Sequence, residues 1–105
     1  MTEKRRRTHD LVAIQAAFAS PETLNRTKVS VRDAAALGMD AAMVVAVIQA
    51  LRYPADFEKS STAHHNPRQW HDSYKLVIDG RTLYLKFTTD DEGKLLLTSF
   101  KEVEL

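Results

Sequence analysis

The feature that most constrains the fold is a change in hydrophobic period near residue 60. Before this point apolar side chains recur at helical spacing, as in Leu11, Ile14 and Phe18. After it, apolar and polar residues alternate with a period of two, which is typical of strands with one buried face. The sequence therefore predicts an α+β fold in which N-terminal helices pack on a C-terminal antiparallel sheet.

Capping residues predict where the helices begin. Thr8 or Asp10 can cap the first helix, and Asp40 can cap the third. The second helix is predicted to start at Ser30, which has Asp33 three residues later in a pattern that resembles a capping box. The polar stretch 22–29 has no sustained period, so we expect it to be mostly loop.

The region that joins helices to strands is predicted to hold one more helical turn. Pro54 can occupy the first position of such a turn, which would carry Phe57 and Lys59. Three strands are then predicted at 72–78, 82–88 and 94–103. Asp79-Gly80 is a strong signal for the first hairpin, and Gly93 ends the turn of the second.

Alternation along the last two strands assigns side chains to two faces. The core residues predicted in this way are Leu83, Leu85, Phe87, Leu96, Thr98 and Phe100. The opposite face receives Tyr84 and Lys86 from one strand and Leu95, Leu97, Ser99 and Lys101 from the next. A polar, cationic surface on a rigid sheet is a suitable place for a functional site.

Length and composition exclude several classes of protein. The 105 residues predict one domain over 1–105, with residues 1–7 as a flexible basic start. The 0 Cys exclude disulfides, thiolate metal sites and cysteine nucleophiles. No apolar run approaches the ~18 residues of a membrane-spanning helix, and the basic start does not lead into a signal-peptide core. We therefore expect a cytoplasmic protein with no membrane partner.

The segment 59–74 is dense in groups that transfer protons or bind phosphate. Surface loops collect polar residues in any case, so many of these side chains could simply face solvent. His64, His65 and His71 raise the question of zinc, but adjacent strand residues point to opposite faces and no helical i, i+4 pair is present. No metal site is predicted. Trp70 fits either a core or rim aromatic or a stacking platform for single-stranded nucleic acid.

The available side chains meet the needs of RNA cleavage without a metal. A 2′-hydroxyl must lose a proton, the 5′-oxygen must gain one, and positive charge must stabilise the phosphorane. His71 titrates near neutral pH when unperturbed. Positive charge is available from Lys59, Lys86, Lys101 and Arg68. This inventory does not distinguish RNA from other phosphodiesters.

Short motifs resemble a known family in order and in spacing over residues 3–102. They are EKR at 3–5, LGMD at 37–40, VI at 47–48, DFEKS at 56–60, WHDSY at 70–74, YLK at 84–86 and SFKE at 99–102. Together they resemble the motility quorum-sensing regulator toxins. The resemblance implies a compact RelE-like α+β fold and a ribosome-independent mRNA endoribonuclease that requires no cofactor.

The resemblance also implies the active-site residues and a partner. The family's catalytic positions fall on Lys59, Tyr84 and Lys101, and the position that is usually Gln is His71 here. Lys86, Arg68 and Trp70 are predicted to bind the single-stranded mRNA substrate. The implied partner is a cognate antitoxin with a zinc-binding domain and a helix-turn-helix domain. Because His71 departs from the family, a catalytically inactive module that binds nucleic acid or antitoxin stays open as the alternative.

Overall fold

Polar caps begin all three α-helices in the computed structural model, which describes residues 2–104. The helices are α1 (Leu11–Ala17), α2 (Lys28–Ala36) and α3 (Ala41–Ala50). A side-chain oxygen of Asp10, Thr27 or Asp40 accepts a hydrogen bond from a backbone N–H in the first turn of each. The predicted caps Asp10 and Asp40 are therefore confirmed.

The second helix begins three residues earlier than the sequence predicts. Ser30 is buried inside α2 rather than capping it, and its backbone N–H donates to Thr27 Oγ1 at 3.2 Å. The cause is a contact with the last strand, because the Thr27 N–H donates to the Leu97 carbonyl at 3.1 Å. This contact fixes an extended Thr27, and the helix follows it.

Four strands from the second half of the chain and one short strand from its start form a five-stranded sheet in which every neighbouring pair is antiparallel. Its strands, in spatial order, are β1 (Glu3–Lys4), β2 (Phe57–Ala63), β3 (Asn66–Ile78), β4 (Arg81–Thr89) and β5 (Leu95–Glu102). The three predicted strands are confirmed as β3, β4 and β5. The α+β prediction, with helices on one face of an antiparallel sheet, is also correct.

Two strands were missing from the sequence prediction. The helical turn predicted to carry Lys59 is wrong, because Lys59 lies in β2. The segment β2 (FEKSSTA) is polar and lacks apolar alternation, so its strand conformation comes from pairing with β3. The start expected to be flexible contains β1, which pairs with β2. Met1 and Leu105 lie outside the described residues.

The tight turn between β3 and β4 follows the sequence signal. Asp79 has φ 51° and Gly80 has φ 76°, and two successive positive φ values are typical of the turns that fit the twist of a hairpin. Gly93 also has a positive φ of 77° in the turn before β5. Both predicted hairpins are therefore confirmed.

The core predictions for Leu96 and Thr98 and the opposite-face prediction for Leu97 are wrong, because the ladder between β4 and β5 contains a bulge at Thr98, which is only partly buried. Lys86 pairs with Ser99, but Phe87 pairs with Leu97, so one residue of β5 is skipped. Leu97 consequently turns into the core and is 0% exposed, whereas Leu96 is only partly buried. Beyond the bulge, Phe100 is in the core as predicted.

A buried carboxylate ties the N-terminal segment to the sheet. Asp72 of β3 is 0% exposed. Its Oδ2 accepts backbone hydrogen bonds from Thr8 at 2.9 Å and from His9 at 2.7 Å. The Thr8 hydroxyl also lies 2.8 Å from the hydroxyl of Ser60. These contacts hold the segment between β1 and α1 in one place.

Candidate active site

The face of the sheet opposite the helices gathers most of the predicted site residues. In the register of the sheet, Lys59 pairs with Ser73, Ser73 with Lys86, and Lys86 with Ser99. These four residues cross β2 to β5 in a continuous row, because directly opposed residues point to the same side of a sheet. We call this surface the polar face.

A second row on the polar face lies next to the first. Lys75 pairs with Tyr84, and Tyr84 pairs with Lys101. Residues two apart on a strand are about 7 Å from each other, so Tyr84 and Lys86 are neighbours along β4. A groove of ≈ 300 Å³ is lined by residues of both rows, including Tyr84, Lys86, Ser99 and Lys101. The predicted grouping of Tyr84, Lys86 and Lys101 on a non-core face is confirmed.

Lys86 occupies the centre of the polar face and is partly buried. Burial lowers the pKa of its ammonium group, and the positive charges of Lys101 and Lys59 lower that pKa further. A cation held near other cations is stabilised by an anion placed among them. The electrostatics of Lys86 therefore favour an anion at this position.

Tyr84 is partly buried beside these lysines. Burial raises the pKa of its phenol above the ordinary value of 10, and the Ser73 hydroxyl partly opposes this effect. The phenol is consequently protonated at neutral pH. A protonated phenol beside cations can donate a hydrogen bond or a proton to an anion.

His71 lies on the same face but at the other end of the site from Tyr84. It pairs with Ser61 across β2 and is two residues from Ser73 along β3. Its Nδ1 atom is buried and has no hydrogen-bond partner among residues 2–104. Burial lowers the pKa of the imidazole below its ordinary 6.5, and the charge of Lys86 lowers it further. The ring is therefore neutral at neutral pH, and because Nδ1 is buried, the nitrogen that could accept a proton from a bound substrate is Nε2.

Lys59 is engaged by a carboxylate from the edge strand. Its Nζ lies 2.6 Å from Oε2 of Glu3, and the two side chains are 38% and 50% exposed. This ion pair raises the pKa of Lys59 and lowers the pKa of Glu3. Lys75 is held in a similar way by Glu58, at 3.2 Å.

Arg68 and Trp70 do not line the groove of the polar face. Trp70 pairs with Thr62 and is two positions from Asp72, so alternation places it on the opposite side from His71, whereas Arg68 lies in an irregular part of the ladder between β2 and β3. The Nζ of Lys4 lies 4.3 Å from the ring centroid of Trp70, which is a cation–π contact. The Trp70 ring thus packs against the N-terminal strand.

Sequence reasoning missed Glu3 and Glu58, the two carboxylates that pair with lysines of the polar face. Glu3 and Lys59 are 56 positions apart, so no local pattern joins them. Lys75 was also missed, although its alternation with Ser73 on β3 was a usable signal. A larger cavity of ≈ 460 Å³ lies elsewhere, lined by Met43, Val47 and Ile78 among others, and none of the predicted site residues is among those lining it.

Two further properties describe the surroundings of the site. Among residues 2–104, no group of three or more His, Cys, Asp or Glu side chains is arranged to hold a metal ion. In the same part of the chain, no helix is long and apolar enough to cross a membrane.

Three helices on one face of the sheet and a lysine-rich opposite face define a compact α+β domain of the RelE-like kind. The chain matches the family described as "Motility quorum-sensing regulator, toxin of MqsA" over residues 6–102. No match to a curated protein was found. The chain therefore belongs to the motility quorum-sensing regulator family and is a toxin of a toxin–antitoxin pair, with an MqsA-type antitoxin as its partner.

Proposed function

We propose that this toxin is an mRNA endoribonuclease that acts without a ribosome and without a metal ion. The observation that carries the proposal is the grouping of Tyr84, Lys86 and Lys101 on one accessible sheet surface. A phosphodiester placed over Lys86 would contact both Lys86 and Lys101. Within residues 2–104, neither lysine has a carboxylate closer than 4.0 Å. Such cations stabilise the charge that develops on a phosphorane.

The proposal assigns the two proton transfers to groups whose pKa values are shifted in opposite directions. The lowered pKa of His71 keeps its imidazole neutral, so it can take the proton of the 2′-hydroxyl. The raised pKa of Tyr84 keeps its phenol protonated, so it can give a proton to the leaving 5′-oxygen. An in-line displacement places the base and the acid on opposite sides of the phosphorus. In the register of the sheet, His71 lies four positions along β3 from Lys75, the partner of Tyr84.

The balanced reaction is a transesterification. The 2′-oxygen forms a bond to phosphorus and the bond from phosphorus to the 5′-oxygen breaks, which leaves a 2′,3′-cyclic phosphate and a 5′-hydroxyl. Lys59 would add positive charge from the β2 side of the site, once an RNA phosphate replaces Glu3 beside it. Cutting mRNA in this way would stop translation and growth, and would place the toxin's activity in the cytoplasm.

Further contacts with RNA outside the reacting phosphate, and the antitoxin, complete the proposed function. Arg68 and Trp70 stay candidates for binding the flanking RNA, outside the groove proposed to hold the reacting phosphate. We expect the antitoxin to be of the two-domain type that the family resemblance implies, with a zinc-binding part and a helix-turn-helix part. Any structural zinc would then belong to the antitoxin.

The test compares two oligonucleotides of one sequence, an all-RNA strand and a strand with 2′-deoxy sugars, each incubated with purified protein and EDTA. We expect the RNA strand alone to be cut, with 2′,3′-cyclic phosphate at the new ends. Cleavage of the deoxy strand, or complete inhibition by EDTA, would contradict the mechanism. Tight RNA binding without any cleavage would instead support the inactive binding module.

A further inference from the structure

The lysines of the polar face fall into two classes. Lys59 and Lys75 each have a carboxylate at 2.6 Å and 3.2 Å. Lys86 and Lys101 have none within 4.0 Å among residues 2–104. The first pair is therefore already neutralised in the free protein, and only the second pair attracts an anion without competition.

The strand that carries Glu3 is held in place by its neighbours. Glu3 pairs with Ser61 in the ladder between β1 and β2. On one side of it, Thr2 and Thr62 exchange two hydrogen bonds, each of 2.9 Å. On the other side, Lys4 lies over the ring of Trp70. The backbone pairing therefore places Glu3 on the polar face beside Lys59, and its half-exposed side chain makes the 2.6 Å contact with Nζ.

A carboxylate at this position competes with a phosphate for Lys59. Both are anions, and an RNA phosphate that approaches Lys59 must either displace Glu3 or accept its repulsion. An anion that contacts only Lys59 gains little binding free energy, because it merely replaces the carboxylate of Glu3. An RNA strand that also contacts Lys86 and Lys101 gains two further ionic contacts without having to displace a carboxylate.

We propose that Glu3 is a built-in competitor of the substrate: it occupies Lys59 in the free toxin, is displaced by an RNA phosphate, and so selects extended RNA over isolated anions. This inference rests on the proposed function, because it takes single-stranded RNA as the ligand of the polar face. It adds a specificity-determining residue that was not among the site residues predicted from the sequence.

The experiment measures binding of a 2′-deoxy-substituted oligonucleotide, which cannot be cut by the proposed mechanism, using fluorescence anisotropy. Glu3→Gln keeps the size of the side chain and removes its charge. We expect this variant to bind about two- to fivefold more tightly, the range set by releasing one exposed ion pair. In steady-state cleavage of RNA, the same change is expected in KM rather than in kcat.

Two control variants make the result specific. Glu92→Gln removes the same charge from the exposed hairpin before β5, where Glu92 lies 3.8 Å from Lys94. Its affinity for the oligonucleotide should change less than that of Glu3→Gln. In a Lys59→Ala background, Glu3→Gln should lose most of its effect, because the cation that Glu3 occupies is then absent. Inorganic phosphate should compete poorly with the oligonucleotide in the wild type and better in Glu3→Gln.

Several results would overturn the inference. Equal affinity of the wild type and Glu3→Gln would remove Glu3 as a competitor. A fall in kcat without tighter binding would show that Glu3 positions Lys59 for catalysis. If the wild type cleaves RNA and Glu3→Gln binds no more tightly, only the inference fails. If no variant binds the oligonucleotide or cleaves RNA, the proposed function fails with it.

Discussion

The ammonium group of Lys101 lies over the ring of Tyr84, with Nζ 5.4 Å from the ring centroid. The two residues are directly opposed on β5 and β4, so the ladder places their side chains next to each other on one face. At this distance the cation is attracted by the face of the ring. A phenol and an ammonium group are thus held together on the polar face, beside Lys86.

Removing either unpaired lysine should impair cleavage strongly. Lys86→Ala and Lys101→Ala are each expected to slow the reaction by about 10- to 1000-fold, the scale for losing one preorganised positive or hydrogen-bonding group. The measurement is kcat/KM on a defined RNA. Lys94→Ala is the matched control, because Lys94 is 71% exposed in the hairpin before β5. Equal loss of activity in Lys94→Ala would mean that total charge, and not the site, controls the rate.

Tyr84→Phe should separate catalysis from folding. If the phenol gives its proton to the leaving oxygen, the variant should lose about 100-fold in kcat. The free energy of unfolding should change by less than about 1 kcal/mol. Tyr53→Phe is the control, because Tyr53 packs against Phe57 and Arg7 instead. A large fall in thermal stability with unchanged kcat would give the Tyr84 hydroxyl a structural role.

The pH dependence of cleavage should report His71. A general base must be neutral, so the rate should rise with pH through the lowered pKa of His71, which is below 6.5, and then reach a plateau. The raised pKa of Tyr84 places the fall of the rate on the alkaline side of pH 10. His71→Gln should flatten the acid limb and keep part of the activity, because Gln can still hydrogen-bond a phosphate oxygen. Identical pH–rate profiles for the two proteins would exclude His71 as the base.

Asp72 should be important for stability rather than for chemistry. Asp72→Asn weakens two backbone hydrogen bonds to a buried carboxylate, so we expect the free energy of unfolding to fall by about 1.5–3 kcal/mol. Urea unfolding measures this value, and hydrogen exchange at the Thr8 and His9 amides should become faster. Asp91→Asn, in the exposed turn before β5, is the control. Equal stability of the two variants would contradict the role of Asp72.

Alanine substitutions at the adjacent residues Leu96 and Leu97 test the bulge in β5. Leu97→Ala should lower the free energy of unfolding by about 2–5 kcal/mol, because Leu97 is 0% exposed. Leu96→Ala should cost about 1 kcal/mol, since that side chain is only partly buried. Urea unfolding of both variants is the measurement. A larger loss for Leu96→Ala would restore the simple alternation and contradict the register of β4 and β5.

The sequence by itself determined the features that depend on neighbouring residues. The caps Asp10 and Asp40 are local hydrogen bonds, and the turn at Asp79 and Gly80 is a local backbone preference. Alternation along β4 likewise placed Tyr84 and Lys86 on the face opposite Leu85. The three candidates Tyr84, Lys86 and Lys101 could be grouped for this reason alone.

Only the tertiary structure decided the features that depend on long-range pairing. The polar segments β1 and β2 become strands because β3 supplies their hydrogen-bond partners, and this pairing brings Glu3 to Lys59 across 56 positions. The bulge that buries Leu97 is a property of two strands together. The rules for caps, turns and alternation concern residues that are only a few positions apart, so they cannot predict these contacts. The charge on Lys59 is balanced by a carboxylate that only the folded sheet brings near.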